Sequence, residues 1–499
     1  MSKSTKDIKR MVVNQIKNEY PGFNHLPKPV KKKIIEEFFT QIYTEYDFSK
    51  EPEAPLPELL NITPLPDDII TIEQMRRLMR GKQMNILHLS PCQTKQAIKD
   101  EELQKIYELV NWGLLNRLLA NDNYTPGKRD ILPSQYFRAE LLKHLKYPEI
   151  SYRKYDEREI NNPERQENRA FLDLKPGQSI THSQLSQFRS SLTFTQLVNV
   201  MVYFICLFLD EKDLERGNFY ALDSTELAEK ISNYPLFKRK IGNQNIRFYQ
   251  DIEADVGTRR KKRDKSDFVV GYRLHTLTVI DVKTETAYPL LSVLAPANHH
   301  DSNFLEILVE FGKKIGLPLN VVVGDQAYGE VEEAEEIKKR HNVVVLNAPK
   351  EKTALPNHVD KKTYTVRKNG LCSVDMTYCG RDEEHGHEFH CDAKEGECPL
   401  YGSCEKVRFI PLDSGHFGQL PCFMEEVEQM IQMRKVAERP FNLIKHRDGL
   451  EPLRTKGRHN CTVVATVANI TTLLIEIAGY RKKKKKVENA QLSLLKKVA

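Results

Sequence analysis

Neither a secretory leader nor an apolar run of membrane-spanning length is expected from the sequence. Residues 1–10 are polar and no hydrophobic segment follows them, which argues against export. The most hydrophobic helical candidate, residues 197–209, falls short of the roughly 20 residues that cross a bilayer, and it carries Asn199. It reads as a buried helix. Cysteine is sparse, nine in 499 residues and several of them far apart, which excludes a disulfide-stapled scaffold. No clean helix-turn-helix pattern is visible. The expectation is a soluble intracellular protein with no membrane partner.

What the chain does have is ample apolar material and charge set in blocks. It is 40% hydrophobic and 29% charged, and its length suggests roughly two to four domains. The formal charge of +7 is modest for this length, so position matters more than total. Arg259-Arg260-Lys261-Lys262-Arg263 interrupts the middle of the chain, and residues 481–486 form an unbroken basic run. Such blocks attract phosphate backbones without reading sequence. A solvated loop and a soluble tail are the plainer alternative.

Hydrophobic periodicity divides the chain. Residues 1–60 read as a helical segment, with Ile34, Ile35, Phe38, Phe39, Ile42 and Tyr43 at helical spacing, followed by a proline-rich linker. Residues 61–180 return to short helices with basic faces, opening on the capping pattern Thr71-Ile72-Glu73-Gln74. These suit a nucleic-acid-binding module or a plain helical scaffold. In residues 181–349 strands and helices alternate: 219–222, 265–280 and 287–294 as strands, then a helix through Leu305 and Phe311, strand 320–324, helix 330–340 and strand 343–346. Pro289 favours an edge strand. The fold class expected is α/β, a mixed sheet flanked by helices. Residues 350–420 interrupt it as a polar insertion, 421–480 resume with helices, and 481–499 form a basic tail.

Two acids stand at the ends of hydrophobic runs, in Tyr220-Ala221-Leu222-Asp223-Ser224-Thr225 and in Val321-Val322-Val323-Gly324-Asp325-Gln326-Ala327-Tyr328-Gly329. A third, Glu438, lies on a late helical segment with Arg434 before it and Lys445 after Pro440. Carboxylates gathered this way suit hard divalent cations such as magnesium, and like charges side by side are tolerable only with a cation between them. Each aspartate alone is equally well read as a turn or helix cap. Glu425, Glu426 and Glu428 are rival third acids. Pro440 removes one helical hydrogen bond and is expected to kink the backbone near Val436. Arg434, Glu438 and Lys445 would share nearly one helical face. His275, His299 and His300 are read first as structural residues.

Taken with Gly271-Tyr272-Arg273-Leu274-His275 and Pro296-Ala297-Asn298-His299-His300-Asp301-Ser302, these motifs resemble those of the DDE transposases of prokaryotic insertion sequences. The resemblance is to the group whose last acid lies in a tyrosine-arginine-glutamate-lysine helix signature. Ile431 stands where that signature has its tyrosine. The resemblance covers about residues 180–480 well and the first 180 weakly. It implies a ribonuclease-H-like core in which Asp223, Asp325 and Glu438 hold magnesium or manganese. Arg434 and Lys445 would bind DNA phosphates, joined by Arg259, Arg260, Lys261 and Lys262. The implied reaction is cleavage at element ends and strand transfer into target DNA, by a homodimer on double-stranded DNA, in the prokaryotic cytoplasm at the nucleoid. Ser224 lacks the histidine-and-acid setting of a nucleophile. A nuclease on the same core that does not join, or an inactive DNA-binding descendant, are the alternatives.

The insertion holds Cys372, Cys379, Cys391, Cys398 and Cys404 with His385, His387 and His390. Four thiolate or imidazole ligands suit tetrahedral zinc, although the intervals exceed the usual two to four residues. The preferred set is Cys379, Cys391, Cys398 and Cys404, as a possible structural zinc site. Ordinary reduced thiols are the alternative.

Overall fold

The computed structural model describes residues 3–45, 68–80, 97–120, 131–214, 219–260, 266–328, 331–347, 358–360, 365–368, 370–411, 419–421 and 424–479. Helices α1 (Lys3–Glu19) and α2 (Lys28–Glu45) pack as a pair, burying Ile8, Val12 and Ile16 against Ile35, Phe39 and Ile42. Thr71 and Gln74 form the expected capping box on the helix Ile72–Met79. The helix Glu101–Leu109 ends at Val110. Asn111 accepts from the Leu114 N–H and starts a separate helix, Trp112–Leu119. Helix α3 (Pro133–Lys146) and α4 (Phe194–Lys212) follow, α4 capped by Thr193.

β1 (Phe219–Ala228) leads into a hairpin, β2 (Phe237–Ile241) and β3 (Gln244–Phe248). Sequence patterning gave no warning of its partner: Ile246 and Phe248 are buried with the apolar faces of α1 and α2. β4 (Asp255–Arg260), β5 (Ser266–Asp281) and β6 (Thr286–Pro296) then run antiparallel to their neighbours. Helix α5 (Leu305–Lys314), β7 (Val321–Gly324), helix α6 (Val331–His341) and β8 (Val344–Asn347) complete the alternating part.

The main sheet is mixed, with the order β6-β5-β1-β7-β8 and β4 pairing the first third of β5. β1, β7 and β8 are parallel and β5 opposes both β1 and β6. β6 is an edge strand of this path, which accommodates Pro289. The expected mixed sheet flanked by helices is present.

Strand alternation assigns the two faces. Tyr220, Leu222, Val279 and Val322 join the large core built with α4 and α5. Phe219, Ala221, Ile280, Val323 and Leu346 face the other way, against Val427, Val436 and Ala437. Among the described residues two helices, α4 and Arg458–Ile477, are long and apolar enough to cross a membrane. Both are longer than the run expected from sequence. They pack on each other, and 72% and 78% of their apolar windows are buried inside the protein.

Between β8 and the next helix lies a separate three-stranded sheet, β9 (Thr377–Asp382), β10 (Gly386–His390) and β11 (Val407–Ile410), in the order β11-β10-β9. The chain then forms α7 (Glu425–Met433), a 3-10 turn Arg434–Ala437, α8 (Glu438–Asn442) and a π-helical turn Leu443–Arg447. The irregularity begins one turn before Pro440, which has no N–H to offer the Val436 carbonyl. The last described helix, α9 (Arg458–Ile477), packs on β6.

Candidate active site

Asp223 is the third residue, after Phe219 and Ala221, on the face of β1 that meets the Arg434–Ala437 turn. The parallel register pairs Tyr220 with Val322 and Ala221 with Val323. Carried two residues further, it sets Asp223 beside Asp325, just past the end of β7. Val436 and Ala437 pack into the apolar cluster beneath, and this anchors the turn that presents Arg434 and Glu438.

Three carboxylates therefore gather around one guanidinium. Arg434 Nη1 is 3.9 Å from Asp223 Oδ2, and its Nη2 is 4.0 Å from Asp325 Oδ1 and 3.6 Å from Glu438 Oε1. These are ion pairs rather than hydrogen bonds. The Asp223 side chain is 14% exposed, against 50% and 60% for Asp325 and Glu438, so the cluster has a buried floor and an open rim. Burial pushes the Asp223 carboxyl up to about 7, and the charges of Glu438 and Asp325 add to this. The Ser224 N–H, which donates to Asp223 Oδ1 at 2.8 Å, and Arg434 oppose the rise.

A second layer supports the floor. Ser224 Oγ donates to Asp301 Oδ1 at 2.7 Å, and Arg273 Nη1 donates to the same oxygen at 3.0 Å. Arg273 Nη2 reaches Glu226 at 2.7 Å, its direct cross-strand partner. His275, opposite Ser224 in the register, is fully buried and stacks on Phe304 with ring centroids 3.7 Å apart. Burial, with Arg273 and the two nearby histidines, holds it neutral, well below the usual histidine range. Its Nδ1 lies 3.4 Å from the buried Tyr328 hydroxyl. The four sequence motifs around Asp223, Arg273, Asp301 and Tyr328 thus meet at one place. The supporting roles of Arg273, Asp301 and Tyr328 were missed from sequence, because they depend on strand register and not on spacing along the chain.

Lys445 stands elsewhere. The 3-10 and π-helical turns shift the helical phase, and Lys445 is buried with its Nζ 3.5 Å from Glu451. Glu451 in turn accepts from the Ala228 N–H at the far end of β1. Glu425 and Glu428 receive Gln429 and Gln432 on their own helix, and Glu426 is exposed. Ile431 packs against the apolar cluster under the Arg434 turn. His299 and His300 lie, with Lys6, Lys9 and Arg10 of α1, on a cavity of about 450 Å³. Arg259 and Arg260 end β4, paired through the backbone with Asp267 and Ser266. Lys261, Lys262 and residues 481–486 fall outside the described residues. Cys379 is exposed on β9, whereas Cys391, Cys398 and Cys404 line a small cavity with Cys372.

The donor set of the acid cluster is all oxygen, which suits a hard divalent cation. In the structure the acids lean on Arg434 instead of on one another. Among the described residues no three histidine, cysteine, aspartate or glutamate side chains stand as a closed metal-ligand group.

No family model matches the chain, and no curated protein matches it. Among solved structures it is similar to a cryo-EM structure of the piggyBac transposase synaptic complex with hairpin DNA. The identity is 10%, over 82% of this chain and 78% of that one, with a TM-score of 0.31. Likeness at this level leaves function to be argued from the site.

Proposed function

We propose that the chain is a DNA transposase that cleaves phosphodiester bonds at element ends and joins them to target DNA. The observation that carries this reading is the meeting of Asp223, Asp325 and Glu438 around Arg434. These acids come from the first strand of a mixed sheet, the end of its parallel neighbour, and the helical segment after the sheet. The strand order β6-β5-β1-β7-β8, with β5 opposed to the rest, supports the ribonuclease-H-like core that the motifs imply.

In this reading the three carboxylates would hold magnesium or manganese through oxygen. The bound ion supplies activation of the attacking oxygen and relief of charge on the phosphate. Asp223, on the buried floor, would hold the ion as its carboxylate, while Asp325 and Glu438 on the open rim would face the substrate side. Arg434 balances the acids and would meet a DNA phosphate once an ion took its place among them. Arg273, Asp301 and Ser224 fix the strand that carries Asp223. The α1 face with Lys6 and Arg10, and the basic block from Arg259 to Lys262, would follow the DNA backbone. Two chains on paired DNA ends, in a prokaryotic cytoplasm, complete the proposal.

The test is single-turnover cleavage and joining of linear DNA bearing the sequences that flank this coding region in its source genome, with and without magnesium. Wild type should nick and join, and Asp325→Ala should bind the DNA but do neither. Cleavage without joined products would move the reading to a nuclease on the same core. Equal activity in wild type and variant would overturn the acid assignment.

A further inference from the structure

The insertion between β8 and α7 has its own sheet but little interior. Its buried apolar cluster consists of Val366, Met376, Phe389 and Ile410. Units this small ordinarily need a staple besides their core, and no disulfide links the described cysteines.

Four of those cysteines share one cavity. Cys372, Cys391, Cys398 and Cys404 line a space of about 30 Å³ with Met376 and Leu400, room for a single water or ion. They reach it from three directions: the turn before β9, the end of β10, and the loop into β11. The backbone holds those segments together. The Cys391 N–H donates to the Lys406 carbonyl at 2.8 Å, and the Ser373 hydroxyl donates to the Glu397 carbonyl at 2.6 Å. The Tyr401 N–H turns back to the Cys398 carbonyl at 3.0 Å, and Gly402, with φ of 77°, lets the loop continue to Cys404.

The rival ligands are engaged elsewhere. Cys379 is exposed on β9 and does not line the cavity, His385 pairs with Asp382 at 2.9 Å, and His390 pairs with Glu388 at 2.6 Å.

We propose that Cys372, Cys391, Cys398 and Cys404 form a tetrathiolate zinc site that holds the insertion together. The sulfurs line the cavity without closing on one centre, so zinc draws the three segments inward, as where metal binding and folding are coupled. Lys406 beside the cavity offsets part of the charge of four thiolates. The site is structural and independent of the acid cluster.

Zinc content of the purified full-length chain, measured by inductively coupled plasma mass spectrometry, should be one ion per chain. Alkylation followed by peptide mass spectrometry should find these four cysteines protected by zinc and exposed by chelation, with Cys379 reacting in both states. Cys379→Ser should keep the ion, and Cys372→Ser should lose it. The alkylation pattern is read on the wild type, so it stands even where a variant fails to fold. Absence of stoichiometric zinc, an iron chromophore in its place, or protection of Cys379 with Cys372 reactive would each overturn the proposal.

Discussion

The Arg434 guanidinium stands 3.9 Å from the carboxylate of Asp223, bringing a residue of the helical segment after the sheet to the first strand of that sheet. It is the cation on which three acids converge. Its contacts are long and its partners partly exposed, so each is weak on its own. Arg434→Ala should destabilise the metal-free protein by about 1 kcal/mol. Magnesium should then restore more stability to the variant than it adds to wild type, because the ion replaces the missing charge. Urea melts of both proteins with and without magnesium read this directly. An equal magnesium effect on the two would show that the acids do not share a cation.

The Asp223 carboxyl is raised from 3.8 to about 7 by burial and by its acidic neighbours. A raised acid contributes stability that is fully present below its unfolded pKa and is lost as pH rises through the folded one. Asp223→Asn should therefore match wild type near pH 4 and become the more stable of the two by pH 8, in metal-free buffer. It should have no cleavage activity. Thermal melts across that pH range, beside the DNA assay, check both halves.

Glu229 gives a second pH signature, away from the acid cluster. It is buried at the end of β1, and burial followed by the charge of Asp251 pushes it up to about 9, against the pull of Lys456 and Lys31. The same sign applies: stability is present below pH 4.5 and lost as pH climbs through 9. Glu229→Gln should raise the melting temperature at pH 8 and leave it unchanged near pH 4. Lys31, whose Nζ donates to the Asn24 and Gln250 carbonyls, ties α2 to this region. A loss of stability at pH 8 in the variant would mean that the ionised carboxylate is a needed partner.

Gly271 sits where β5 passes between β1 and β4. A Cβ there would stand 2.2 Å from the Leu227 carbonyl oxygen and 2.9 Å from the Glu229 nitrogen, both main chain. Neither can yield without opening the strand pair. Gly271→Ala should cost about 3 kcal/mol or more, seen as a lower urea midpoint with an unchanged slope.

Much of the alternating region was legible because its cues are local. Apolar runs of strand length mark β1, β7 and β8, and Pro289 marks an edge. Partners distant in sequence were not legible. The β2–β3 hairpin packs on α1 and α2, far earlier in the chain, and nothing near Ile246 or Phe248 signals this. Lys445 was set on the face of Arg434 and Glu438 by assuming one continuous helix, and the 3-10 and π-helical turns break that phase. The set preferred from sequence is Cys379, Cys391, Cys398 and Cys404. Cys379 stands exposed on β9, and it is Cys372 that lines the cavity with the other three. Spacing could nominate the three acids. Only the register of β1 against β5 and β7 shows what surrounds them.

That register makes Asp301 the clearest positioning residue. One of its oxygens receives both Ser224 Oγ and Arg273 Nη1, and Arg273 also holds Glu226. Asp301 touches none of the three acids directly in these hydrogen bonds; it acts through the residue that follows Asp223. Removing such an outer partner typically costs 10–100-fold in metal affinity or activity. Asp301→Ala should lower magnesium-dependent cleavage by roughly that factor, with DNA affinity unchanged. Part of the loss should return at higher magnesium concentration, because a displaced Asp223 still binds, only more weakly. Asp301→Asn keeps an oxygen for Ser224 and should fall between the two. A magnesium titration of cleavage rate separates this from simple misfolding, which extra magnesium would not repair. If Asp301→Ala cleaves like wild type at every magnesium concentration, the layer behind Asp223 does not position it.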